Sequence, residues 1–217
     1  MLGVIKKSLL FVVLYLIITL PRRIISFSQK SGIDWSVSTI IFTILVLFIC
    51  IFLCLRLTRN YRTKLDFTTL KPSEVFRAIT FGFLGNFILQ AIVLLFFNTS
   101  VITDNQVDIN KLTNNIPFVL TFLLAIVVGP IGEELLLRGF LATQLLKINL
   151  FTSFTLTTIL FSFGHFPTSL YEFLRYFVLG TILYLIFYRS KRLEYSIAAH
   201  MFINLIALLP IISAKFF

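Results

Sequence analysis

Apolar runs alternate with short polar connections along almost the whole chain. A helix needs about 20 apolar residues to span the hydrocarbon of a bilayer, and the runs at 37–55, 78–97 and 195–214 come close to that length or meet it. A further run at 116–146 carries charges in its second half. It is followed by a run at 150–166 and by a shorter one at 173–188 that contains Arg175. The first residues, MLGVIKKSLLFVVLYLIITLPRR, begin like a signal peptide, with Lys6 and Lys7 as the basic start. No small-x-small cleavage site precedes Pro21, so they are expected to form a retained first span or anchor. The pattern predicts an all-α fold, a polytopic transmembrane helical bundle of about seven helices. It forms one integrated membrane domain, with N-terminal helices and loops over 1–115 and a polar-bearing core over 116–214.

Composition agrees. Hydrophobic residues make up 58% of the 217 and charged residues 13%, against about half and about a quarter in soluble domains. The 26 phenylalanines suit a chain bathed in lipid. A net charge of +10 would suggest nucleic acid in a soluble protein. Here no basic patch is interleaved with base-stacking aromatics outside the apolar runs, so nucleic acid is not an expected partner. Membrane lipid is, because Lys and Arg in short loops meet anionic headgroups. Cys50 and Cys54 lie four residues apart in one apolar run, where they share a helix face and are expected to pack rather than form a disulfide.

The loops give a direction. Arg56, Arg59, Arg62, Lys64 and Lys71 crowd one connection, and Arg189, Lys191 and Arg192 crowd another. The connection at 98–115 carries Asp104 and Asp108 against Lys111. The positive-inside rule puts 56–77 and 189–194 in the cytoplasm and 98–115 outside. Arg22, Arg23 and Lys30 do not fit a simple first crossing, which leaves the N-terminal side open.

Charges inside a membrane cost about 3 kcal/mol each by insertion scales and usually mark function. Residues 132–140, GEELLLRGF, place three of them there. Glu134 and Arg138 stand at i and i+4 with the acid first, the favoured order for an ion pair. Glu133 is turned about 100° away and needs a different partner. The two histidines are His165, in FSFGH, and His200, in HMFIN, where Asn204 projects from the same helix face as His200. A lone buried imidazole is more often a packed side chain than a reactive one. Two within apolar runs, one beside Asn204, shift that balance. Counting from a turn near 147–149, Glu133 and His165 fall at nearly the same height, about 22–26 Å away. His200 reaches that height if the hairpin extends beyond the membrane surface. Geometry therefore allows a Glu133, His165, His200 and Asn204 cluster.

The segments GEELLLRGF, FSFGH and HMFIN, in that order, resemble the motifs EExxxR, FxxxH and HxxxN of the CAAX protease and bacteriocin-processing family, also called the Abi family. The resemblance covers 116–214 and implies an intramembrane endopeptidase of the glutamate type. It implies that Glu133 activates a water as general base and that His165 helps to hold it. His200 and Asn204 would stabilise the oxyanion, with Glu134 and Arg138 as supports and Phe161 packing. The chemistry is coherent, since Asn is a neutral donor suited to an oxyanion hole. One Glu and two His could also compose a zinc set. However, HExxH is absent and Asn204 is a poor zinc ligand, so zinc is disfavoured and no cofactor is expected.

The expected partner is a peptide or membrane-protein substrate, in bacteriocin processing or self-immunity. No residue points to a prenylated tail. Small size resembles the bacterial members, which implies a multi-pass protein of the plasma membrane with its site opening towards the cytoplasm. Two other readings stand beside this one. One is an immunity protein that masks a target without catalysis. The other is a proton-coupled transporter, against which no inverted repeat is visible.

Overall fold

In lipid every backbone polar group must be satisfied within the chain, which leaves helices as the economical solution for apolar runs of this length. The computed structural model describes residues 2–59, 65–97, 116–146 and 150–216. Among the described residues it consists of seven helices without strands. They are α1 (Leu2–Lys30), α2 (Val37–Thr58), α3 (Pro72–Phe97), α4 (Phe118–Leu145), α5 (Leu150–Gly164), α6 (Leu170–Ser190) and α7 (Leu193–Phe216). Six are long and apolar enough to cross a membrane; α5, with 15 residues, is not. The polytopic helical bundle read from the sequence is what forms. The acidic connection at 98–115, Arg62, Lys64 and the turn at 147–149 lie outside the described residues.

Two helices differ from their expected extents. The first was expected to end near Arg23, but α1 runs through Pro21 to Lys30. Arg22 is therefore a helical residue, and its guanidinium lies over the Phe166 ring at 5.8 Å. The run at 173–188 was expected to be the short one, yet α6 has 21 residues. Its start is fixed by Ser169, whose hydroxyl accepts the N–H of Glu172, while the Glu172 carboxylate accepts the N–H of Thr168. Arg175, which broke the apolar pattern, is tied across to α3. Its Nε donates to Gln90 Oε1 at 3.2 Å, and Gln90 Nε2 donates back to the Arg175 carbonyl at 2.8 Å.

Packing is turned outward-in relative to a soluble protein. Phe52, Phe87 and Leu95 face outward, 64%, 65% and 82% exposed, whereas Glu134 and Arg138 are fully buried. Between helices in lipid, close contact replaces the hydrophobic drive, and small residues permit it. A Cβ at Gly82 on α3 would stand 2.9 Å from the Cβ of Ala199 on α7. One at Gly132 on α4 would stand 2.9 Å from Ile18 on α1.

Helix α4 carries the polar cluster and is widened twice. Its backbone bonds take the i to i+5 spacing over Leu123–Val128 and again over Leu135–Leu145. Such widened turns are uncommon and frequent at functional sites.

The basic connections meet at one end of the bundle. Arg192 donates to the carbonyls of Asp66 and Thr69, and the Asp66 N–H donates to Glu194 Oε1 at 2.6 Å. The N–H of Lys191, in a left-handed conformation (φ 56°), closes α6 by donating to the Phe187 carbonyl. Helix α7 runs antiparallel to α4, because His200 lies beside Glu134 and Asn204 beside Ala125. The C-terminal end of α4 is therefore at this same end, and Lys7, donating to the Gln144 carbonyl, brings the start of α1 there too.

Candidate active site

The centre of the site is Arg138, fully buried on α4. Its Nη1 donates to Glu134 Oε1 at 2.9 Å, its Nη2 to the Gly180 carbonyl of α6 at 2.8 Å, and its guanidinium lies 4.9 Å over the Phe161 ring. Three helices, α4, α5 and α6, are thus drawn to one cation. Gly180 allows the approach, since a Cβ there would come within 3.2 Å of Phe161 and Thr158.

The adjacent glutamates have separate surroundings. Glu134 is fully buried, and its Oε1 takes both Arg138 and the Nδ1 of His200, at 3.2 Å. Glu133 is one third exposed, and its Oε2 is shielded from solvent without a hydrogen-bond partner. The nitrogen facing that oxygen, His200 Nε2, is 3.9 Å away, beyond hydrogen-bonding reach. Glu133 is the uncommitted acid and Glu134 the committed one. Glycine at 129, one turn earlier, is required by the backbone: a Cβ there would stand 2.8 Å from the Leu124 carbonyl oxygen.

Both imidazoles have one nitrogen engaged. His165 Nδ1 is 2.8 Å from the Phe161 carbonyl. A carbonyl only accepts, so Nδ1 carries the proton and Nε2 presents a lone pair in the neutral ring. The ring stacks on Tyr176, with centroids 4.2 Å apart and planes 14° apart. His200 stands between the two acids, its Nδ1 facing the Glu134 carboxylate and its Nε2 facing Glu133. Phe161 joins the two, 4.7 Å from His165 and 5.6 Å from His200 by ring centroids. It is 2% exposed and packs, as its place in the motif suggested.

Asn204 projects from the His200 face of α7 and donates through Nδ2 to the Ala125 carbonyl at 2.9 Å. One of its two amide hydrogens is thereby used, and the other remains for a second acceptor. Among the described residues no group of three or more His, Cys, Asp or Glu side chains is arranged to hold a metal ion.

The structure therefore brings Glu133, Glu134, Arg138 and His200 together and sets Asn204 one turn along from His200. His165 joins through Phe161. Sequence reasoning missed three participants: Gly180 as the acceptor for Arg138, Tyr176 under His165, and the Ala125 carbonyl. Only the Gly129–Pro130 pair, a breaker signal inside an apolar run, hinted at the last.

A polytopic helical bundle with a buried carboxylate and imidazole cluster defines a class of intramembrane proteins with a polar site. The family described as Rce1-like, type II CAAX prenyl endopeptidase Rce1-like, has a model that matches residues 115–206. That segment contains all three motifs, and the match bears out the resemblance read from them. It supports a membrane peptidase as the broad activity. Comparison with curated proteins and with solved structures returns no match.

Proposed function

We propose that the protein is an intramembrane endopeptidase in which Glu133 activates a water for attack on a peptide bond. The observation that carries this is the contrast between the two acids: Glu134 is consumed by Arg138 and His200, while Glu133 Oε2 has no partner beside an imidazole. A carboxylate whose proton-accepting oxygen is unoccupied is available as a general base. His165 Nε2, with its lone pair, would accept the second hydrogen of the water and hold it. As the tetrahedral intermediate forms, the free N–H of Asn204 and a protonated His200 Nε2 would bind the oxyanion. Glu133 then returns the proton to the departing amine. Glu134 and Arg138 would fix the helix that carries Glu133 and the orientation of the His200 ring. The substrate would be a peptide or membrane protein, with bacteriocin processing or self-immunity as the setting, and no metal takes part.

By the positive-inside rule the basic end of the bundle faces the cytoplasm. His200 is seven residues past Leu193, the start of α7 at that end, hence about 10 Å deep. The site would open towards the cytoplasm of a bacterial plasma membrane.

The test compares peptide termini in membranes of cells expressing wild type or Glu133→Gln at matched abundance. Termini present with the wild type alone are expected. Equal termini, with the same host phenotype in both, would favour target masking instead.

A further inference from the structure

In the first widened stretch of α4, Leu123–Val128, the N–H of Gly129 reaches the carbonyl of Leu124. The next step of that ladder would give the Ala125 carbonyl the N–H of residue 130. Residue 130 is proline and has none. A carbonyl held away from water without a donor costs about as much as a lost hydrogen bond, and Ala125 is half-buried within an apolar helix. Asn204 on α7 supplies the donor, at 2.9 Å. The contact also bridges α4 and α7 eight residues before Glu133.

The torsion that turns an asparagine amide is broad and roughly two-fold, so an unheld amide samples several directions. A bond from one of its hydrogens to a fixed helix carbonyl selects one direction, and the other hydrogen is aimed with it. Donors oriented before reaction are those that stabilise a developing charge most.

We infer that Pro130 is a positioning residue. By withholding an N–H it keeps the Ala125 carbonyl free to hold the Asn204 amide, and so aims the second Asn204 hydrogen at the oxyanion. The oxyanion rests on the function proposed above, whereas the lock between Pro130, Ala125 and Asn204 does not. With an ordinary residue at 130 the α4 ladder would satisfy itself, and the amide would lose its anchor.

The lock is read by solid-state NMR of the full chain in lipid nanodiscs. Labelling with [1-13C]alanine and [15N]isoleucine selects the carbonyls of Ala78, Ala91 and Ala125, the alanines followed by isoleucine. Ala125→Gly identifies the last by its loss. Asn204→Leu, close in shape but without N–H donors, is expected to move the Ala125 carbonyl upfield. Asn204→Ala replaces it if leucine crowds the helix crossing. Pro130→Ala restores an N–H, and the carbonyl should then no longer respond to loss of Asn204. On a peptide spanning a cleaved bond, Pro130→Ala is expected to lower kcat about 100-fold, as small misplacements do, with KM unchanged. Asn204→Leu should add little further loss in that background. An Ala125 resonance indifferent to Asn204→Leu in the wild type, or kcat losses that multiply in the double variant, would overturn the inference. The expected resonance shifts without cleavage by the wild type would remove the oxyanion and the peptidase reading, and leave the lock.

Discussion

Replacing Arg138 by leucine removes a fully buried cation that bonds Glu134 at 2.9 Å and the Gly180 carbonyl at 2.8 Å. What remains is a fully buried carboxylate that faces His200 Nδ1 without its cation. Breaking a buried pair from one side costs about 3–5 kcal/mol. The Gly180 carbonyl, deprived of a charged donor, adds about 1 kcal/mol. For a chain of this size each kcal/mol shifts Tm by about 2–4 °C, so Arg138→Leu should melt about 8–24 °C below the wild type. The double variant Glu134→Leu/Arg138→Leu loses more polar contacts but strands no charge. Its residual cost is the unpaired Gly180 carbonyl and His200 nitrogen, about 1–3 kcal/mol. It should therefore melt above the Arg138→Leu single. The assay is thermal unfolding in detergent, followed by circular dichroism. A double variant melting at or below the single would refute the reasoning, as would a single variant within about 2 °C of the wild type.

Further expectations concern the supports of α4 and the end of the bundle. Gly132→Ala drives a Cβ to 2.9 Å from the stiff Ile18 side chain and should destabilise by about 1–3 kcal/mol; adding Ile18→Ala should recover part of this in the same melts, and no recovery would place the strain elsewhere. Gly129→Ala puts a Cβ 2.8 Å from the Leu124 carbonyl oxygen, so α4 must shift where it carries Glu133. Turnover should fall even in preparations that melt like the wild type, and unchanged turnover would show that the α4 backbone at 129 does not set the position of Glu133. At the basic end, hydrogen bonds from the Thr68 side chain and then its backbone hold the Asp66 carboxyl below the usual range. A carboxyl depressed on folding contributes stability that is full above its unfolded value, about pH 4, and is lost as pH falls through the lower folded value. Protection of the Asp66 amide, taken relative to intrinsic exchange at each pH, should fall in that acid window. Thr68→Val should move the onset to higher pH, and an unmoved onset would exclude Thr68 as the cause.

The spans were legible because lipid imposes a length on every crossing. The misjudged boundaries arose where polar residues are neutralised by partners far along the chain. Arg175 stood as an unexplained charge inside the run at 173–188 because Gln90, its partner, lies 85 positions away. Pro21 and Arg22 looked like the end of α1, but the helix continues and Arg22 rests over Phe166. In the site, the local pair Glu134–Arg138 could be read from its i, i+4 spacing. That Glu134 also takes His200, 66 residues on, could not. Nor could the contact of Asn204 with Ala125, because it depends on a widened turn and a proline that do not appear in apolar periodicity.

The central claim is that Glu133 does chemistry while Glu134 holds structure. Its most direct test is the rate at which purified wild type and Glu133→Gln, in the same nanodiscs, cleave a peptide spanning the bond found in membranes. Glu133 Oε2 makes no hydrogen bond, so the variant should melt like the wild type while its kcat falls on the order of 100- to 10,000-fold, the usual range for losing a general base. A folded Glu133→Gln that cleaves the peptide at the wild-type rate would contradict the account.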